Sequence, residues 1–350
     1  MNLGIWAVQE KYFRSFFVLW RVGDIPIPVF PGGYLLGGML LTNLISAHVY
    51  RFKLTWRKSG IFLTHIGLIL LLIGELLTGL LQEEYQMRLA EGETKNYSES
   101  TRFNELAIIE TTDPKFDDVV VVPEETLANQ RELQHPKLPF RVITRAYYPN
   151  AVLQLRSNVK ETPAFTANAG VGPKLVATPV PLTYKEDEKN WPAAFIELQG
   201  PEGSLGTFLV STQLAASQTL EHGGRTWRLG LRLQRSYKPF ALTLLKVQHD
   251  VYIGTDIPKN FSSRVRVTTP DGHDNREVLI YMNNPLRYAG LTFYQHQMDS
   301  ANATTGLQVV RNPGWLVPYI SCALMALGLV VQFSIHLAGF FTKRRRLAVA

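Results

Sequence analysis

Residues 60–81 read GIFLTHIGLILLLIGELLTGLL, an apolar run of 22 residues in which Glu75 is the single charged side chain. About 20 residues suffice to cross the ~30 Å hydrocarbon core of a bilayer, because each helical residue rises ~1.5 Å. The run therefore predicts a transmembrane helix from Gly60 to Leu81. The alternative, a buried helix of a soluble protein, is disfavoured because runs this long and this poor in charge are rare in soluble cores.

Two further runs have the same character, one from Gly33 to Phe52 and the other from Gly314 to Phe341. The shorter apolar stretch Phe13–Val22 carries two arginines and predicts an interfacial segment, not a span. The expected organisation is an interfacial segment (1–32), two transmembrane helices (33–81), a β domain (82–313), a C-terminal transmembrane helix (314–341) and a basic tail (342–350).

Positive charge predicts the orientation of these spans, because Lys and Arg beside a span favour its cytoplasmic side. The loop between the first two spans contains Arg51, Lys53, Arg57 and Lys58, and the tail contains Lys343, Arg344, Arg345 and Arg346. Both segments are expected in the cytoplasm. The middle domain is then extracytoplasmic, as in a multi-pass protein of a bacterial inner membrane whose large domain is periplasmic.

The formal net charge of +7 superficially favours a nucleic-acid partner. Residues 82–313 contain 25 Lys and Arg against 26 Asp and Glu, whereas the remaining residues contain 11 against 3. The excess positive charge therefore belongs to the membrane segments, and no nucleic acid is expected as a partner.

The middle domain has the pattern of an all-β domain, either a sandwich or an open barrel. Its one stretch rich in Pro, Ala, Thr and Lys, Ser157–Glu188, predicts an irregular insertion. Cysteine is absent from the domain, since Cys322 lies in the third span, so no disulfide is expected. The predicted strands are Leu106–Glu110, Val119–Val122, Phe140–Ala146, Ala194–Leu198, Gly206–Val210, Thr226–Leu233, Phe240–His249, Ser263–Thr268, Glu277–Met282 and Thr292–Gln297.

Histidine is the candidate chemistry, since no P-loop, G-x-G-x-x-G, H-E-x-x-H or G-x-S-x-G motif occurs and no activity of the chain alone is expected. The five histidines of the middle domain are scattered and are expected to be surface or locally bonded residues. His48, His65 and His336 instead lie inside or at the edge of apolar runs. An ionisable side chain at membrane depth is costly, so these three are functional candidates.

His65 and His336 each lie five residues from a cytoplasmic end of a predicted span, counted from Gly60 and Phe341. This spacing predicts that both lie roughly 7–8 Å inside the same leaflet. Neutral imidazole is a common ligand of haem iron, so the pair is a candidate haem site, with His65 as the metal ligand. The alternative is a histidine that is hydrogen-bonded to a neighbouring helix.

Helical geometry adds one expectation about the second span. At 100° per residue, Gly67 and Gly74 share one face, and His65 points about 160–180° away from it. Since small residues permit close packing, we expect the glycine face to pack inside the protein and His65 to face another helix or a ligand.

Several passages resemble the ResB (CcsB)-like family. Residues 281–295, YMNNPLRYAGLTFYQ, resemble its N-x-P-L-x-Y-x-G-x-T-x-Y-Q signature. Thr64-His-Ile-Gly67 with the following LILLLIGELLTG resembles its histidine-bearing span, and Met87–Gly92 resembles its first strand after that span. The upstream phrase Phe261–Val267 also fits.

The resemblance implies a function in system II cytochrome c maturation. Such proteins act with a ResC (CcsA)-type membrane partner that carries a Trp-rich haem motif, and together they deliver haem to apocytochrome c. The family's membrane histidine matches His65 alone, with other haem ligands supplied by the partner. The alternative is a membrane-tethered β-sandwich scaffold or binding module that takes no haem.

The chain departs from the family pattern in two respects. The family usually has a further span before the segment that resembles Tyr12–Ser15, and no such run precedes Tyr12 here. We expect either a truncated start or a branch without that span. No Trp-rich haem motif is present either, so the chain is not expected to attach haem alone.

The orientation can be tested with reporter fusions. Alkaline phosphatase fused at about residue 200 should be active, and the same enzyme fused after Arg346 should be inactive, because only the first site is extracytoplasmic. The reverse pattern of activity would contradict the predicted orientation.

Overall fold

The computed structural model describes residues 5–349 apart from 24, 52, 54, 114–115, 130–131, 160–162, 184–188, 216, 252–253, 255–257 and 300–302. Two π-helical turns, Gln9–Phe13 and Ala47–Arg51, continue the first two helices, and a 3-10 turn, Trp56–Lys58, precedes the third. The α-helices are α1 (Ile5–Val8), α2 (Gly33–Ser46), α3 (Ser59–Leu81), α4 (Glu124–Ala128) and α5 (Val317–Val349).

The rest of the described chain is mostly β, as predicted. Its strands are β1 (Phe17–Val22), β2 (Ile25–Pro31), β3 (Glu83–Ala90), β4 (Thr94–Glu110), β5 (Asp118–Pro123), β6 (Glu132–Leu133), β7 (Arg141–Tyr148), β8 (Ala151–Leu155), β9 (Leu175–Pro179), β10 (Ala193–Gly200), β11 (Gly203–Ser211), β12 (Gln218–His222), β13 (Arg225–Val251), β14 (Pro258–Thr268), β15 (Asn275–Tyr281), β16 (Leu286–Tyr288), β17 (Leu291–Asp299) and β18 (Thr304–Arg311).

The β domain combines features of both predicted architectures. A ten-stranded sheet has the order β15-β14-β13-β4-β3-β18-β17-β16, with β5 and β12 paired to β4 and β13. One core is formed entirely by residues of this sheet, so the sheet curls around it, and β15 comes close to β17. A second core lies between β4, β5 and β13 and a four-stranded sheet of order β11-β10-β7-β6, which makes a sandwich.

The paired strands β4 and β13 connect the two cores. β13 is 27 residues long; Trp227 and Leu229 lie in the sandwich core, and Phe240 and Leu242 lie in the curled core. Its pairing with β4 shifts register after Leu233 and again after Tyr237. Such bulges bend and twist a strand, which explains how one strand serves two cores.

The predicted strands are found, with three differences. The strands predicted at Thr226–Leu233 and Phe240–His249 are parts of the single strand β13. The predicted insertion Ser157–Glu188 is not irregular throughout, because Leu175–Pro179 forms β9 with β8; parts of it lie outside the described residues. The predicted interfacial segment contains the β1–β2 hairpin.

Two helices of the described residues are long and apolar enough to cross a membrane, Trp56–Leu81 and Val317–Arg345. They correspond to the second and third predicted spans, although α5 continues well past the predicted end at Phe341. The first predicted span forms α2 and its π-helical turn to Arg51, with Phe52 outside the described residues. Its membrane crossing stays a prediction.

Close backbone contact joins α3 to α5. A Cβ added at Gly60 would lie 2.5 Å from the carbonyl oxygen of Gly328, and one at Gly67 would lie 2.8 Å from that of Ser321. Further along, a Cβ at Gly74 would meet the Val317 side chain at 2.8 Å. The predicted glycine face therefore packs inside the protein, and the helices run antiparallel.

Helix α2 lies antiparallel along another side of α3. Near the β domain, the Tyr34 hydroxyl is 3.5 Å from the position of a Cβ on Gly79, and near the other end His48 contacts His65. The two contacts span 14 residues of each helix, or about 21 Å. Because α3 is a membrane-span candidate, α2 shares its depth.

We expect Gly60→Ala to destabilise the helical part by about 1–3 kcal/mol, because the methyl group would overlap the backbone of α5. Gly339→Ala is the matched control: nothing lies within 4 Å of its Cβ position, and alanine is the better helix former. Thermal unfolding in detergent, followed by helical circular dichroism, measures both. Equal midpoints for the two variants would contradict the packing.

Candidate functional site

Two histidines meet between α2 and α3. Nδ1 of His65 lies 3.1 Å from Nε2 of His48, and the ring centroids are 4.8 Å apart at an interplanar angle of 83°. His48 lies in the π-helical turn Ala47–Arg51, the kind of helix irregularity that is frequent at functional sites. Both side chains are half-buried. The pair lies near the end of α3 that is remote from the β domain.

The hydrogen bonds determine which ring nitrogen carries each proton. Nδ1 of His48 lies 3.0 Å from the carbonyl oxygen of Leu44, which can only accept, so this nitrogen donates. With both rings neutral, Nδ1–H of His65 donates a hydrogen bond to Nε2 of His48. Nε2 of His65 then keeps its lone pair, which is the form of imidazole that coordinates a metal.

The rotation of α3 explains why His65 meets α2. The three glycines face α5: Gly60 and Gly67 approach its backbone, and Gly74 approaches the Val317 side chain. Since His65 is about 160° from Gly67 around the helix axis, it points away from α5. The structure confirms that His65 faces another helix. His48, which sequence reasoning noted but did not select, is the residue that it contacts.

His336 does not lie with this pair. Gly60 contacts Gly328 and Gly67 contacts Met325 and Ser321, so the antiparallel register places His65 about level with Met325. His336 is eleven residues further along α5, so it lies about 16 Å closer to the C-terminal end of that helix. Its Nε2 lies 2.9 Å from Nε2 of Gln332 on its own helix.

The predicted equal depth of His65 and His336 is therefore wrong. The prediction took Phe341 as the end of the third span, whereas α5 continues to Val349 and its contacts with α3 determine the register. Two axial ligands of one haem must approach the same iron from opposite sides. The structure does not bring these two histidines together, and a haem role for His336 by itself stays a prediction.

The signature passage supplies fold determinants. Leu286 and Phe293 are buried in the curled core, and the Tyr288 ring lies 4.7 Å from the Phe240 ring in an edge-on contact. Gly290 joins β16 to β17 with a φ of +76°, a conformation that side-chain-bearing residues rarely adopt. The residues that carry the family resemblance here stabilise the β domain.

A buried polar network completes that passage. The fully buried Ser263 hydroxyl donates to Oε1 of Gln295 at 2.6 Å, and Nε2 of Gln295 donates to the Thr305 hydroxyl at 2.9 Å. Buried polar groups need such partners, because an unsatisfied one costs about 1–3 kcal/mol. Gln295 therefore ties β14, β17 and β18 together.

Two contacts fix the β domain to the helices. The Arg287 guanidinium lies 4.2 Å from the centroid of Trp315, just before α5. Nδ2 of Asn312 donates to the Thr78 hydroxyl near the end of α3 at 3.2 Å. Strand β16, which belongs to the signature passage, is thus connected to the residues that precede α5.

A cavity of about 660 Å³ is lined by residues of β4 and β13, together with residues at the end of β11 and after it. Three arginines of β13 line it, and each is paired with an acidic residue, so the cavity carries no concentrated positive charge for an anionic ligand. The pairs are Arg228–Asp117, Arg232–Glu105 and Arg235–Glu99, with N···O separations of 3.2, 2.9 and 3.0 Å.

The fold and the site define a class of protein: a mostly β domain attached to membrane-type helices, with a histidine pair between two of the helices. Within that class, part of the chain is similar to ResB-like proteins. Residues 198–304 match the ResB-like family, and the resemblance in the sequence is confirmed.

The chain is also similar to protein NrfI of Wolinella succinogenes. The two are 27% identical over 300 residues, which cover 84% of this chain and 29% of that relative. The chain thus spans less than a third of the relative's length.

We predict that Gln295→Leu lowers the unfolding free energy of the β domain by about 1 kcal/mol, because Ser263 and Thr305 each lose one hydrogen-bond partner but keep the bond between their hydroxyls. Tyr294→Phe, on the same strand at an exposed position, should change it by less than about 0.5 kcal/mol. Denaturant unfolding of the full chain in detergent measures both. A variant as stable as the parent would show that the network is dispensable.

Proposed function

We propose that this chain acts in cytochrome c biogenesis. It binds haem at His65 inside the membrane and, with a ResC/CcsA-like membrane partner, passes the haem to apocytochrome c on the β-domain side. The observation that carries the proposal is the hydrogen-bond geometry of the histidine pair, from which we infer that the lone pair of His65 is on Nε2. The family resemblance supports the same pathway.

The donor chemistry of the site fits haem. The porphyrin supplies four nitrogens to the iron, so the protein needs to add only one or two axial ligands, and histidine is the commonest. A neutral imidazole brings no net charge into the apolar layer, whereas a charged ligand would cost several kcal/mol there. One open nitrogen on His65 is therefore sufficient for this chain's share of the coordination.

His48 is a positioning residue in this proposal. His48 accepts a hydrogen bond from Nδ1–H of His65, and this bond fixes both the tautomer and the orientation of the His65 ring. Hydrogen bonding to the second nitrogen of a ligating histidine has this effect generally and makes the ligand more basic. His48 itself is held by the carbonyl oxygen of Leu44.

The second axial ligand is assigned to the partner. His336 is too far along α5, and Nε2 of His48 is already engaged with His65. In this proposal the basic segments lie in the cytoplasm, so haem moves outward toward the β domain.

His65→Ala should remove most of the haem that co-purifies with the chain and its membrane neighbour, and it should reduce cytochrome c assembly, because the iron loses an axial ligand. His48→Phe should weaken haem binding by roughly 10–100-fold, as expected for the loss of a supporting hydrogen bond. Absorption spectra of the purified complex, with and without added imidazole, measure both effects.

His336→Ala decides between this proposal and the predicted haem role of His336. The proposal gives His336 no ligand role, so the haem content should be unchanged, whereas a loss like that of His65→Ala would support a ligand within this chain. Normal haem content in a well-expressed His65→Ala variant would contradict the proposal. A membrane-tethered scaffold that takes no haem would then be the better account.

A further inference from the structure

The β1–β2 hairpin exposes apolar side chains on both faces. Adjacent strand residues point to opposite faces, and Leu19 and Trp20 are 47% and 64% exposed. The hairpin buries only Val18 among its described large apolar side chains. The others are 43–67% exposed: Phe17, Leu19, Trp20, Val22, Ile25, Ile27, Val29 and Phe30. A two-stranded hairpin of this composition is at best marginally stable in water, so another medium or molecule covers it.

The hairpin is fixed at the start of α2. The Gly32 amide donates to the carbonyl oxygen of Phe16 at 2.8 Å, and the Tyr34 amide donates to that of Ser15 at 3.2 Å. Tyr34 in turn contacts α3 at Gly79, two residues before the β domain's side of the span candidate ends. The hairpin therefore begins at the depth where the apolar layer gives way to the β domain.

Prolines lie along β2, whose outer edge is the one that does not pair with β1. Pro26 pairs with Arg21 and Pro28 pairs with Leu19, alternating with Ile25 and Ile27. In an antiparallel pair alternate residues direct their N–H groups toward the partner strand or away from it, and these prolines occupy the outward positions. Since proline has no N–H, the outer edge cannot donate hydrogen bonds to an added strand at these two positions. For the same reason, no backbone N–H is left unsatisfied there in an apolar medium.

We propose that the β1–β2 hairpin is a membrane-surface anchor that lies in the lipid interface beside α2. Lipid covers both faces of a thin hairpin at once, whereas a protein that docks on one face leaves the other exposed. The proline edge disfavours the remaining protein mode, strand addition. The aromatic side chains, Trp20 above all, are of the kind that concentrates at the interface of a bilayer. This anchor would hold α2, and with it His48, at a fixed depth.

Site-directed spin labelling of the full chain in lipid nanodiscs tests this anchor. With Cys322 replaced by Ala, single cysteines are introduced at Leu19 and Ile27, on opposite faces of the hairpin, and at Val121. Val121 is the matched control, since it is a strand residue of the β domain that is 44% exposed, against 43% for Ile27. Collision rates with oxygen, which partitions into lipid, and with Ni-EDTA diacetate, which stays in water, are then compared.

The anchor predicts that oxygen collisions exceed nickel collisions at both Leu19 and Ile27, and that the ratio reverses at Val121. Nickel access at Leu19 and Ile27 equal to that at Val121 would place the hairpin in water and overturn the proposal. Low collision rates with both reagents at either hairpin position would show a protein contact on that face and would overturn it equally.

Discussion

The contact between the backbones of α3 and α5 determines the geometry of the rest of the helical part. Gly60 and Gly328 have no side chains, so the helices approach until their backbones touch. This approach fixes the rotation of α3 about its axis, and the rotation decides where every other side chain of α3 points. His65 is directed to α2 for this reason, and Gly67 and Gly74 are buried for the same reason.

The histidine pair follows from that constraint through a short series of hydrogen bonds. The Leu44 carbonyl oxygen determines the proton position on His48, and His48 determines the one on His65. Each ring N–H in the series has an acceptor, and the lone pair that remains is on Nε2 of His65. An uncoordinated histidine at this depth would also need a partner, but one hydrogen bond would satisfy that need. That alternative does not require the bonding partner to be a second histidine with a defined tautomer, whereas the proposed ligand site does.

The β domain contributes stability and position. Its long strand β13 contributes residues to two cores and so connects the two halves of the domain. The signature passage fills the curled core and connects through Arg287 to Trp315 at the start of α5. This contact, with the hydrogen bond from Asn312 to Thr78, joins the β domain to the glycine-packed helices.

Much of this arrangement could be predicted from residue patterns. Apolar length predicted the spans Gly60–Leu81 and Gly314–Phe341, and β-branched runs predicted strands such as Ala194–Leu198, because both signals are local. Several strands were missed, among them β8, β12 and β18. At other missed strands the local pattern was ambiguous: β1 and β2 mix aromatic residues with prolines, and β9 lies in a stretch rich in proline and threonine.

The site could be predicted only in part, for a physical reason. Helix periodicity gave the direction of His65 relative to Gly67, but a direction does not name the neighbour it reaches. The contact with His48 depends on which side of α3 helix α2 occupies, and that is a tertiary property. The depth of His336 was misjudged because a span's end was assumed from composition, whereas the register of α5 against α3 is determined by Gly60 and Gly67.

The most direct test is an experimental structure of the chain in a complex with its membrane partner, purified with bound haem. The account predicts haem iron within bonding distance of Nε2 of His65, with His48 still hydrogen-bonded to Nδ1 of the same ring. Haem density elsewhere in the complex, with His65 making only its bond to His48, would contradict the central claim.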